Sequence, residues 1–161
     1  MKEELDKSMK KFDEIWQRVG AREISEPLSL EQERARLAVF IAGARVRLSG
    51  YEFCANMVKG SQSVALKSLA EETRSLVRAL QLEHYLLTGD IHPRTPVPTE
   101  QKGGLAGQRA LYLAEERACA DYLQAAALCS RGTLRQLYVS QAEACHRRTA
   151  ALHKIMYGAL N

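Results

Sequence analysis

The sequence predicts an all-α fold: a four-helix bundle of two antiparallel hairpins joined by one long crossover, preceded by an extra amphipathic helix. Three observations lead there. Apolar residues recur at intervals of three and four along most of the chain, the period of a helix with one buried face, and nowhere alternate as in a strand. The segment 88–107 holds three of the four prolines and four of the ten glycines, so chain-breaking residues mark one long connection. The length of 161 residues suits a single domain, given the usual ~100 to 200 residues per domain.

The elements follow in order. Residues 1–28 form an amphipathic helix and connector, with Leu5, Met9, Phe12, Trp16 and Val19 on one stripe of an otherwise charged segment. That stripe needs cover from the bundle, from a second copy in a homo-oligomer, or from a protein partner. A membrane surface suits it less, because the polar face carries both signs of charge. The bundle occupies 29–161. Its first helix spans about 29–57, with Leu37, Ile41, Ala44, Leu48, Tyr51 and Ala55 aligned, and closes at Val58-Lys59-Gly60-Ser61. The second spans about 62–88, with Leu66, Leu69, Thr73, Leu76 and Leu80 on one face and Gly89 as its C-cap. The crossover occupies 89–106. The third helix spans about 107–129, aligning Leu111, Glu115, Ala118, Tyr122 and Ala125, and the fourth about 133–157, with Thr133 as N-cap. A helix the length of the second is roughly 40 Å long, and a connection of about 18 residues reaches up to ~60 Å when extended. The crossover can therefore return along the whole bundle.

Composition narrows the function classes. With 46% hydrophobic and 26% charged residues the chain has material for a real core. The net charge is +4, but basic and acidic residues are interspersed, so no nucleic-acid surface is expected. No apolar run approaches a membrane span, and the charged opening lacks the apolar stretch of a signal peptide, which makes the cytoplasm the expected location. Cys54, Cys119, Cys129 and Cys145 form no C-x-x-C pair and are expected to be reduced thiols within helices.

The chemistry-bearing residues are carboxylates and one imidazole. Glu115 interrupts the core stripe of the third helix. Glu143-Ala-Cys-His146 is an E-x-x-H motif whose two side chains share a helix face, and Glu72 stands beside the apolar stripe of the second helix. A buried carboxylate is costly unless it is paired, protonated or metal-bound. Carboxylates combined with imidazole suit iron or manganese. Glu72 and Glu143 are 71 residues apart, as are Tyr51 and Tyr122, which sets the two hairpins in register.

On these residues the chain resembles the ferritin-like superfamily, specifically the rubrerythrin-like diiron-carboxylate proteins, over about 29–157. In that family the first and third helices each carry a Glu followed seven residues later by a Tyr, and the second and fourth each carry E-x-x-H. Glu115 with Tyr122 matches the third helix, Glu143 with His146 the fourth, Glu72 the Glu of the second and Tyr51 the Tyr of the first. Ala44 stands where the first-helix Glu would be, and Ser75 where the second-helix His would be. The resemblance thus implies the loss of both terminal ligands of one iron. It leaves Glu115 and His146 as terminal ligands of the other, with Glu143 and Glu72 as former bridges. It further implies at most one Fe or Mn ion per chain and handling of iron or peroxide, without the paired C-x-x-C iron centre of the family's peroxidases. The alternative is a metal-free bundle, with Arg45 or Arg47 balancing the remaining carboxylates, that serves as a structural or protein-interaction module. Whether the chain is an enzyme is left open at this level.

Overall fold

The computed structural model describes residues 28–94, 96–97 and 100–160, together with Lys7, Lys10, Lys11 and Glu14. Those four amino-terminal residues are helical and exposed. Leu5, Met9, Phe12, Trp16 and Val19 lie outside the described residues.

Four long helices and no strand are present among the described residues: α1 (Leu30–Met57), α2 (Ser61–Thr88), α3 (Gly104–Leu128) and α4 (Gly132–Leu160). Local chemistry sets most of the ends. Ser29 caps α1 in a capping box: its hydroxyl accepts from the Gln32 backbone N–H, and the Gln32 side chain accepts from the Ser29 N–H at 2.9 Å. Gly89 ends α2 as expected, in the left-handed region at φ 74°, with its N–H donating to the Tyr85 carbonyl. Two expected boundaries need correction. α3 starts three residues early, at Gly104, and its first turn is closed by the bond from the Gly107 N–H to the Gly103 carbonyl. Thr133 is not a cap: α4 begins at Gly132, and the Arg135 N–H donates to the Arg131 carbonyl, which leaves Thr133 exposed within the first turn.

The predicted stripes are the buried ones. Every residue of the predicted stripes on α1, α2 and α3 is buried except Leu48, which is partly buried. They form two apolar clusters stacked along the bundle. One joins Leu37 and Ile41 of α1, Leu76 and Leu80 of α2, Tyr122 and Ala125 of α3, and Leu134 and Tyr138 of α4. The other joins Tyr51 and Cys54, Leu66 and Leu69, Leu111, and Leu152 with Ile155.

These memberships fix the directions. The start of α1 shares an end of the bundle with the finish of α2, the finish of α3 and the start of α4. Helices α2 and α3 therefore run parallel, and the crossover returns the full length of the bundle. It does so along α1: Arg45 donates to the Pro93 carbonyl at 3.2 Å, Gln101 reaches Ser49, and Cys54 Sγ lies 3.7 Å from the Lys102 carbonyl oxygen. α1 packs mainly on α2, α3 mainly on α4, and narrower seams join α1 to α3 and α2 to α4. No described helix is long and apolar enough to cross a membrane.

Candidate functional site

Between the two apolar clusters lies a polar layer, and three buried charged residues meet in it. On α1, Arg47 falls between Ala44 and Tyr51; on α3, Glu115 falls between Leu111 and Ala118; on α4, Arg148 falls between Cys145 and Leu152. All three are core positions of the helical repeat, so the same period that buries Leu and Ala buries these charges.

Glu115 is completely buried and is the hub. Its Oε1 accepts from Arg148 Nε at 2.9 Å and from the Tyr51 hydroxyl at 2.7 Å, and Arg47 Nε stands 3.6 Å from the same oxygen. Arg148 is only 1% exposed, yet it uses the whole guanidinium: Nη1 reaches Glu72 Oε2 at 3.4 Å and Nη2 reaches Cys145 Sγ at 3.2 Å. One arginine thereby links α4 to both α3 and α2, which is the geometry that a planar fork with five donors supplies and an ammonium does not.

The electrostatics follow from burial and proximity. Burial opposes the charge of Arg148, but Glu115 and then Cys145 outweigh it and hold the guanidinium firmly protonated. Burial likewise opposes Arg47, and Tyr122 and Glu115 more than compensate. Burial, reinforced by Glu115, holds the Tyr51 hydroxyl far above the usual phenol range. Burial pushes Tyr122 up to about 12 and, together with Glu115, the Cys145 thiol up to about 12. At neutral pH these are a neutral phenol and a neutral thiol, so Cys145 is a poor nucleophile and a poor metal ligand.

The four predicted ligands are not brought together. Glu115 is in the core as expected. Glu72 sits at the rim with its side chain about half exposed and touches the layer only through Arg148. Glu143 and His146 share a face of α4, as their spacing requires, but that face is exposed. Among the described residues no group of three His, Cys, Asp or Glu is placed to hold a metal ion. Of the two departures from the family pattern, Ala44 is completely buried and Ser75 is exposed. A guanidinium and a phenol donate to the carboxylate that a metal would need, so this donor set does not fit an iron or manganese centre.

Of the two arginines considered as counter-charges, Arg47 faces Glu115, whereas Arg45 points to the crossover. Arg148, the principal partner, is not among the residues read as functional from the sequence. Its signal was present: on α4 the buried positions run Leu134, Tyr138, Ala142, Cys145, Thr149, Leu152, and Arg148 lies on that stripe while Glu143 and His146 fall off it.

Other buried polar residues include Glu33 and His84. Glu33 is 2% exposed near Tyr138 and Cys129, and burial raises its carboxyl pKa against the opposing charges of Arg36 and Arg131. His84 and His92 meet edge to face at 5.1 Å where α2 gives way to the crossover, and His84 Nδ1 lies 3.1 Å from the Asp90 carbonyl. All four cysteines are free.

Comparison with protein-family models, with curated proteins and with solved structures finds no match to this chain.

Proposed function

We propose that this chain is a ferritin-like bundle without a metal centre, in which a fixed arginine supplies the positive charge at Glu115, and that it works as a structural or protein-interaction module. The carrying observation is the set of contacts of Arg148 with Glu115, Glu72 and Cys145. The long crossover and the parallel course of α2 and α3 support the ferritin-like part of the reading. So does the pair Tyr51 and Tyr122, both completely buried at positions 71 residues apart.

A buried ion pair of this kind gives specificity more than stability. Apolar residues of similar volume often hold a core as well, whereas loss of one partner strands a charge. In this bundle Glu115 admits only a register that brings Arg47, Tyr51 and Arg148 to it from two other helices. No catalytic step follows from these groups, since the Cys145 thiol and the Tyr51 and Tyr122 phenols are neutral at physiological pH. The work of the bundle is then at its surface. Leu82 and Leu86, one turn apart on α2, and Ile91 just beyond its end are all more than half exposed, and they offer apolar contact to another protein.

The test is elemental analysis of protein purified without chelator. The expected result is iron and manganese far below one equivalent per chain. One tightly held ion per chain overturns the reading.

A further inference from the structure

The seam between α2 and α4 forms an open groove of about 410 Å³, lined in part by Ser75 and Ala79 of α2 and by Ser140 and Ala144 of α4. These small side chains keep it wide. Toward the end of α2, Leu82 and Leu86 continue the row of Ser75 and Ala79 at helical spacing, and both are more than half exposed. The described part of the crossover runs along α1 and adds nothing to the lining of this groove.

The chain carries a matching element outside the described residues. Leu5, Met9, Phe12, Trp16 and Val19 are spaced by four, three, four and three, and the row from Glu72 through Ser75, Ala79 and Leu82 to Leu86 is spaced by three, four, three and four. Each row covers 14 residues, which is ~21 Å at the rise of an α-helix. Four residues of the amino-terminal segment are described: Lys7, Lys10, Lys11 and Glu14 are helical and exposed. At the turn of an α-helix all four fall opposite the apolar stripe, so the exposed side is the charged one.

The point of attachment fits as well. The Leu28 N–H donates to the Leu128 carbonyl at 3.4 Å, which holds the start of the bundle beside the finish of α3. The finish of α2 lies at that same end. Nine residues lead from Val19 to Leu28 and reach up to ~30 Å when extended. That is enough to cross the end of a bundle whose neighbouring helix axes stand ~10 Å apart.

We propose that the chain's own amino-terminal helix occupies the α2–α4 groove, parallel to α2, with Val19 level with Leu86 and Leu5 level with Glu72. In that register Trp16 lies over Leu82, and Phe12 and Met9 lie over Ala79 and Ser75, large side chains against small ones. The mode is that of an amphipathic helix in a groove, with both parts supplied by one chain. A partner that uses Leu82 and Leu86 then has to displace this helix, so the segment controls access to the apolar surface assigned above to another protein. The placement does not depend on what balances Glu115.

Trp16 is the chain's one tryptophan, so its fluorescence reports this contact in the full-length protein. The expected emission is that of a shielded indole, unchanged on dilution, from a species with the mass of one chain. Leu82→Glu with Leu86→Glu shifts the emission and the acrylamide quenching to those of the unfolded chain while the circular dichroism of the bundle persists. Ser75→Arg, at an exposed position in the middle of the groove, gives the same shift and serves if the double variant fails to fold. Val39→Glu, equally exposed but on α1, leaves the emission unchanged. A solvated Trp16 in the parent, or a shielded one that ignores both groove variants, overturns the proposal. Shielding that is lost on dilution, or a mass of two chains, assigns the groove to a second copy and overturns it equally.

Discussion

Arg148 Nε donates to Glu115 Oε1 at 2.9 Å, and the pair lies in the centre of the bundle with both side chains almost wholly excluded from solvent. Removing the arginine leaves a buried carboxylate with Tyr51 and the more distant Arg47. Arg148→Ala is expected to cost about 3 to 5 kcal/mol, the usual penalty for stranding one partner of a buried pair. The double variant Glu115→Gln with Arg148→Met removes both charges at similar volume and is expected to lose less than the single one. Denaturant unfolding of the three proteins checks this, and a double variant at least as unstable as Arg148→Ala contradicts it.

Glu33 makes the opposite prediction. Burial raises its carboxyl pKa, so the folded chain holds its proton more tightly than the unfolded chain does. The stability it contributes is complete below the unfolded value of ~4.3 and falls as pH rises through the folded value. Glu33→Gln is therefore expected to stabilise the protein at neutral pH by about 1 kcal/mol, a few degrees in Tm for a chain of this size, with no gain near pH 4. Thermal scans at the two pH values measure it.

His92 sets an acid limit on the crossover. Burial, then the neighbouring charges of His84 and Arg45, lower its pKa. A cationic group with a depressed folded pKa contributes fully above its unfolded value of ~6.5 and loses that contribution as pH falls below it. The groups facing it are His84 from α2, Arg45 from α1 and the Pro93 backbone within the crossover. Amide exchange of 89–94 is expected to speed up between neutral pH and pH 5 beyond the intrinsic rate change, and His92→Gln is expected to remove the excess.

Gly107 and Gly158 make a paired test. A Cβ at Gly107 would stand 2.1 Å from the Lys102 carbonyl oxygen and 2.8 Å from Cys54 Sγ, so the end of the crossover would have to move. At Gly158 it would meet nothing within 4 Å. Gly107→Ala is expected to cost roughly 1 to 3 kcal/mol, as overpacking does. Gly158→Ala is expected to gain up to ~1 kcal/mol from helix propensity. Equilibrium unfolding decides both signs.

The bundle was legible in the sequence because spacing and punctuation agree. The stripes from Leu37 to Ala55 and from Leu66 to Leu80, with Gly89 between α2 and the proline-rich crossover, state helix faces and ends directly. Short-range chemistry misled at Thr133, which suits an N-cap by type, whereas the helix starts one residue earlier at a glycine. At the polar layer, motif matching favoured Glu143 and His146, which share a face that points outward. The helical repeat alone placed Arg148 inward. That repeat could not say which of Arg45, Arg47 and Arg148 would meet Glu115, because the pairing depends on how α1, α3 and α4 settle against one another across 68 and 33 residues of sequence.

The central claim is that a guanidinium, and not a metal ion, balances Glu115. Its most direct test is the thermal unfolding midpoint of the parent protein titrated anaerobically with ferrous iron. A resident arginine predicts no saturable rise, since the ion would have to displace Arg148 and gather ligands from an exposed helix face. A midpoint that climbs with iron and saturates at one equivalent per chain contradicts the account.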